Sequence, residues 1–288
     1  MKLKKITKTL ILTSLFGIML ASCGTNTVVN EEKLQKVNTS AKRQEIRDGI
    51  IEENEEMPNL TINGSIKSEN QVDLLGNPMT TKVDASISGL IAGNNVSLEL
   101  KSNVEISALE RTATSKSNNK INIQDNKVFL SAKTSAVEGN NKKETSIAYS
   151  YTLDEKVNEL LNLDFSGLFE AADASEELEP LGFYEMGSKY VLSVNQALLD
   201  DEVGVSEENE ASFSFYLVFN KNYKFEAIEL SAIVNVEEVM DSKSYTKTNM
   251  SFVAKRTNKK YKSLTTSEIA GYTPLGEDFD ISDLFPFI

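Results

Sequence analysis

Carboxylates are the chemistry this chain holds in quantity. It carries 43 Asp and Glu against 30 Lys and Arg, for a formal net charge of −13 and a pI near 4.7. Among its 288 residues there is no His, no Trp and a single Cys. Without His there is no imidazole base for a Ser or Cys nucleophile, no imidazole metal ligand and no imidazole pH switch. One Cys allows neither an internal disulfide nor a thiolate zinc cluster. The acidic balance argues against nucleic acid, which selects basic patches. Two carboxylate chemistries are left: an acid and base pair in a glycosidase, or a group around a cation. A glycosidase pair must converge across about 5–9 Å. Nothing in the sequence marks two carboxylates as converging, and there is no Trp to form a sugar platform. Glu277, Asp278, Asp280 and Asp283 are spaced somewhat like a Ca²⁺ loop. Counting from Asp278, however, Asp283 stands where such a loop needs Gly, and the chain stops before the closing Glu. That run reads as a solvated acidic tail. No catalytic residue, metal ligand or cofactor is assigned, and the expectation is a protein that is not an enzyme.

The one Cys has a chemistry of its own. Lys2, Lys4, Lys5 and Lys8 form a basic start, and Leu10 to Leu20 is an apolar stretch interrupted by Thr13, Ser14 and Gly17. That stretch is shorter than the roughly 20 residues needed to span a bilayer. It ends in Leu20-Ala21-Ser22-Cys23-Gly24, the pattern of a bacterial lipobox. In such a leader the Cys becomes the first mature residue and carries a thioether-linked diacylglycerol. The expected location is therefore the cell membrane, outside the cytoplasm, with Cys23 as the lipidation site and the membrane as partner. Loss of residues 1–22 removes four lysines and no acid, which moves the net charge from −13 to −17. A body so acidic is repelled by an anionic surface, so the tether is expected to supply the membrane contact.

The elements that must hold any site come next. Gly24 to Asn30 is a short polar tether. In residues 31–56, Leu34, Val37, Ala41, Ile46 and Ile50 fall loosely on one helical face. The spacing predicts a helix ending before Pro58, with a charged stalk as the alternative. From Leu60 the pattern becomes alternating. Val96, Leu98, Leu100, Val104, Ile106 and Ala108 interleave with polar residues, and only Ser102 interrupts the apolar side. Val83 to Ile91 alternates likewise, and Gly93-Asn94-Asn95 joins the two as a hairpin turn. Asp125-Asn126, Gly139-Asn140-Asn141 and Asn220-Lys221-Asn222 mark further turns. After Tyr223, Phe225 and Ala227 the apolar phase switches to Ile228, Leu230, Ala232 and Val234, which predicts a β-bulge near Ala227–Ile228. Between the strands, Asp154 can cap a short helix, and Phe165 to Ala172 forms another turn or two. The acidic stretches 170–179 and 200–210 read as solvated loops.

The sum is about ten strands and two or three short helices, mainly β with an antiparallel sheet. Residues 1–22 are read as the leader, 23–30 as lipidated Cys and tether, and 31–288 as a single sheet-plus-helix domain, with a division near 155–187 left open. Ten strands at about 4.8 Å spacing and about 25 Å tall present an apolar face on the order of 1,000 Å². The helices cover about 400–450 Å² of it. The sheet must therefore close on itself, curl around the helices to leave a cavity, or present a surface to a partner. The cavity-lining candidates are Leu98, Leu100, Val104, Ile106, Phe213, Phe215, Leu217, Phe219 and Leu230, with core packing as the alternative role of the Phe213–Phe219 row.

A leader with a lipobox, an early helix, a long antiparallel run, mid-chain helices and further strands resembles the LolA/LppX-like lipoprotein-carrier superfamily. Gly187-Ser188-Lys189-Tyr190-Val191-Leu192 and the hairpin Asn220-Lys221-Asn222-Tyr223-Lys224-Phe225 are similar to its pattern, over roughly residues 31–275. The resemblance implies a large curved sheet or half-barrel with helices in its concavity, and a role in holding a lipid-like ligand. The other readings are a surface interaction protein whose core is filled by its own side chains, and a carboxylate-based hydrolase.

Overall fold

Alternating side chains and tight turns put most of this chain into one sheet. The computed structural model describes residues 27–54, 56, 58–74, 77–109, 111–152, 165–174, 180–194, 210–240 and 242–275. The expected lipobox, the helix expected after Asp154, residues 175–179 and 200–209 of the acidic stretches and the tail from 276 onward lie outside the described residues, while residues 170–174, read from the sequence as the start of a solvated loop, are the end of a helix. After a 3-10 turn at Glu31–Lys33 come β1 (Gln35–Lys36) and α1 (Ser40–Glu53). Six long strands follow: β2 (Leu60–Leu74), β3 (Asn77–Ala92), β4 (Asn95–Ala108), β5 (Arg111–Gln124), β6 (Lys127–Glu138) and β7 (Asn141–Thr152). Next are α2 (Phe165–Ala174), β8 (Leu181–Met186), β9 (Lys189–Val194), β10 (Glu210–Asn220), β11 (Phe225–Met240) and β12 (Ser242–Arg256). A short α3 (Thr266–Ile269) and β13 (Thr273–Pro274) complete the described chain.

The strands form one 13-stranded sheet in the order β1-β8-β9-β10-β11-β12-β2-β3-β4-β5-β6-β7-β13. Every pairing is antiparallel except β13 on β7. The turns stand where Gly and Asn called for them. Gly93 and Gly139 take positive φ, and Asp125 and Asn126 (φ 52° and 61°) form the turn that suits a tight hairpin. The phase switch in β11 is a bulge. Val218 faces Ala227 and Phe219 faces Phe225, so Glu226 is the extra residue, one position before the expected site. Ser102, the one polar residue on its side of β4, meets the Ser117 hydroxyl across the strand pair at 2.7 Å.

Three expectations change. Strand count rises to 13, in part because Leu181–Met186 forms β8, which an acidic stretch and Gly182 had disguised. The strands are also longer than expected. β3 and β11 each run 16 residues, which at about 3.3 Å per residue is about 50 Å, not 25 Å. Outside β4, alternation marked only the apolar part of the strands. From Asn103 to Lys116 and from Ser135 to Glu144 no described residue is buried, and from Arg111 to Lys116 and Ser135 to Glu144 no apolar alternation appears. Cross-strand pairs such as Ser68–Thr248 (2.9 Å) and Ser107–Thr112 (3.2 Å) occupy these outer halves. Finally, the helix expected over 31–56 begins at Ser40. Leu34 packs on one face of the sheet and Val37 on the other, because the chain rounds the sheet edge at β1, which pairs with β8.

The buried side chains gather at the end of the strands nearest the Gly93 and Asp125 turns. Ile46 and Ile50 of α1 and Phe165 and Phe169 of α2 join Ile62, Ile87, Leu98, Phe219, Phe225 and Phe252 in one apolar cluster. Polar groups fix the helices there. Arg47 grips Asp173 with two contacts of 2.8 and 2.6 Å, which ties α1 to α2 and holds the Asp173 carboxyl below its ordinary range. Asn54 closes α1 by donating to the carbonyls of Ile50 (2.8 Å) and Tyr223 (2.7 Å) while accepting from Phe225 N–H (2.8 Å). Gly49 is required at this contact. A Cβ there would stand 2.5 Å from Tyr223 Cγ.

Candidate functional site

The nine residues read as cavity lining separate into three groups. Leu98, Leu217 and Phe219 are buried in the cluster that α1 and α2 complete. Leu100, Phe215 and Leu230 are half-buried against its margin. Val104, Ile106 and Phe213 stand outside it, and Ile106 is 41% exposed. The structure thus brings six of the nine together and leaves three toward the wet half of the sheet. Phe219 is held edge-to-face by Phe165 (5.4 Å, 69°) and Phe225 (5.8 Å, 77°).

Beside this cluster, α1 meets the β10–β11 turn through paired charges and rings. Tyr190 and Tyr223 stack at 5.4 Å, and the Lys221 ammonium lies 3.9 Å from the Tyr190 ring centre. Glu45 accepts from Lys42 at 2.6 Å and from the Tyr223 hydroxyl at 2.5 Å. These two donors, Lys42 first, hold the Glu45 carboxyl below its ordinary range. The same hydrogen bond, with burial, pushes the Tyr223 hydroxyl up to about 12. Lys42, Glu45, Lys221 and Tyr223 each turn a polar group to a neighbour, which suits docking of the helix.

The opposite face of the sheet carries a site that alternation did not reveal. Glu229 lies between Ile228 and Leu230 in β11, and the sequence reading assigned it no role. It is 4% exposed. Its Oε2 accepts from Val28 N–H at 2.6 Å and from Val29 N–H at 2.9 Å. Val29 then packs on Val191, Val218 and Ala227, with Leu34, Tyr184, Met186 and Tyr216 around it. Tyr216 donates to Glu31 at 2.8 Å, and burial followed by that contact pushes its hydroxyl up to about 12. The carboxylate is therefore a clamp on the chain that leads back to Cys23. No local signal could have disclosed it, since its partners lie about 200 residues away.

Replacing Glu229 with Ala leaves two N–H donors without their charged acceptor, each such bond contributing about 1.5–3 kcal/mol. Hydrogen exchange at Val28 and Val29 should speed up about 100-fold, while core amides of β10 change little. Glu229→Gln, which keeps a carbonyl, should show a smaller rise. Unchanged exchange in Glu229→Ala would show that the segment is held by apolar packing alone.

Among the described residues no group of three or more Cys, His, Asp or Glu side chains is placed to hold a metal ion. No helix among them is long and apolar enough to cross a membrane. The residues of the acidic tail, Glu277 to Asp283, lie outside the described residues. No protein-family model matches the chain, and no curated protein matches it either. Among solved structures it is similar to the translocator domain of the autotransporter NalP from Neisseria meningitidis, at 8% identity and a TM-score of 0.28. That match covers 75% of this chain and 94% of the other.

Proposed function

We propose that this chain is a lipid-anchored protein, held outside the cytoplasm through Cys23, that works by non-catalytic binding through its sheet. The observation that carries this reading is a core filled by the protein's own side chains. Ile46, Ile50 and Phe169 from the two helices, each 1% exposed or less, occupy the apolar face that Leu98, Leu217 and Phe219 present. In this reading the sheet curls around α1 and α2 as a half-barrel, as in the lipoprotein-carrier superfamily it resembles. The long outer halves of β2 to β7, wet on both faces, are the surface offered to a partner. Cys23 and the tether keep the protein at the membrane. A carrier of a lipid-like ligand is the second reading, favoured by the half-buried shelf of Leu100, Phe215, Ile228 and Leu230 beside the cluster.

Native mass spectrometry separates the two. Residues 24–288, which include every described residue but lack the acylated Cys, should run at the bare polypeptide mass and yield no extractable lipid. One extractable lipid per chain would transfer the conclusion to the carrier.

A further inference from the structure

Between Lys255 and Leu264 the sequence reads Lys-Arg-Thr-Asn-Lys-Lys-Tyr-Lys-Ser-Leu, five cations and no acid, in a chain of net charge −13. Lys255, Arg256, Lys259, Lys260 and Lys262 are all exposed. The segment is pinned rather than loose. Thr257 N–H donates to the Asn59 carbonyl (2.9 Å), Asn59 Nδ2 to the Lys259 carbonyl (3.1 Å), and Leu264 N–H to Gln124 Oε1 (2.9 Å). Among the described residues no ion pair engages the side chains of Lys255, Arg256, Lys259 or Lys260, while Lys262 acts on Glu268. A groove of about 600 Å³ brings Lys255 and Arg256 together with Lys189, Glu226 and Val28. Lys189 and Glu226 pair at 3.0 Å, so the groove's net charge comes from the 255–262 segment.

Val28 gives this patch its meaning. It lines the groove, it is clamped by Glu229, and it lies five residues after Cys23. An extended chain covers about 3.5 Å per residue, so Cys23 lies within about 18 Å of the groove. We propose that this basic face docks on an anionic phospholipid surface beside the acyl anchor and so sets the orientation of the body. The proposal rests on the lipid-anchor reading of Cys23. The remaining surface, which holds the excess acid, is repelled by the same headgroups and turns away. Five residues span at most about 18 Å, which lets the patch reach the surface, where each Lys or Arg raises partitioning about 5-fold.

Since the chain has no Trp, a single one is a clean reporter. The acylated protein carrying Asn258→Trp is reconstituted in vesicles of phosphatidylcholine with phosphatidylglycerol and a dansyl-headgroup acceptor. Energy transfer to dansyl should be high in these vesicles and low in phosphatidylcholine alone. It should also be lost in 0.5 M salt, where screening shortens to about 4 Å. A Trp at Lys142→Trp, at the start of β7 beside the far β6–β7 turn, should transfer weakly throughout. Lys259→Glu with Lys260→Glu should lower the docked-to-undocked ratio at least about 25-fold, from about 5-fold per cation lost. Protein that pellets with the vesicles yet transfers equally with and without phosphatidylglycerol, or equally in the charge-reversed variant, overturns the patch and leaves the anchor standing. Protein that does not pellet overturns both.

Discussion

Changing Cys23 to Ser should empty the membrane fraction. The residue is the only thiol in the chain and stands, in Leu20-Ala21-Ser22-Cys23, where the proposed lipid anchor needs it. Each methylene buried in a bilayer contributes about 0.8 kcal/mol, and two acyl signals hold a protein stably where a single chain binds only reversibly. The thioether cannot form on a serine. Lost acylation leaves the body with its basic face alone, which salt strips from the surface. The variant is best made behind a cleavable secretory leader, so that an uncleaved apolar stretch does not itself retain the protein. The membrane-to-soluble ratio should fall by more than about tenfold in a salt wash, and the wild-type amino terminus should carry hydrocarbon mass. A Cys23→Ser protein that fractionates like wild type would remove the anchor, and with it the location proposed for the chain.

The second large effect lies in the core. Phe219 is fully buried and is contacted edge-to-face by Phe165 and Phe225. It faces Phe225 on β11 and Tyr190 on β9, and so joins three strands to a helix. Truncation of a buried Phe to Ala costs about 3–5 kcal/mol, against a total stability of about 5–15 kcal/mol for a folded chain. With a urea slope of about 3 kcal/mol/M, the midpoint of Phe219→Ala should drop by about 1.3 M. Phe213→Ala, on the same strand but outside the cluster, should cost about 1 kcal/mol or less. The contrast bears on function. A side chain that lines an open ligand cavity can be shortened with little penalty, whereas one locked between helix and sheet cannot. Equal, small costs at both positions would favour the cavity.

Much of the fold was legible because one physical rule, alternation between a dry and a wet face, writes itself into residue order. The strand read from Val96 to Ala108 is β4, Asn95–Ala108. The phase switch after Phe225 is the bulge at Glu226. The Gly-Asn and Asp-Asn turns hold because only residues tolerant of positive φ fit there. The rule fails where a strand has no dry face. The tips of β5, β6 and β7 hydrogen-bond in long ladders while every side chain meets water, so their residues look like loop. It fails also in β8, where six residues with a Gly are too few to show a period.

The Glu229 contact and the setting of the basic segment were less legible, for a related reason. Burial at Glu229 is imposed by Val28 and Val29, which arrive from the other end of the chain. Nothing in Ile228-Glu229-Leu230 distinguishes it from an exposed strand carboxylate. Lys255 to Lys262 is a run of charge that the sequence reading did not single out, and its place beside Val28 depends on β12 pairing with β2, from Tyr245↔Gln71 to Arg256↔Leu60. That pairing carries the start of the long-strand run to its end and crosses the whole chain.

By itself, then, the sequence determined what is local: the absence of imidazole chemistry, the strands with one dry face, their turns and the bulge. These follow from side-chain chemistry and backbone preference within a few residues. Only the tertiary structure decided strand order, the packing of α1 and α2 on the apolar cluster, the clamp at Glu229 and the meeting of Val28 with the basic segment. Each of these is a contact between residues far apart in the chain. Its free energy depends on which distant surface removes water from a group, and that partner is not written beside the group in the sequence.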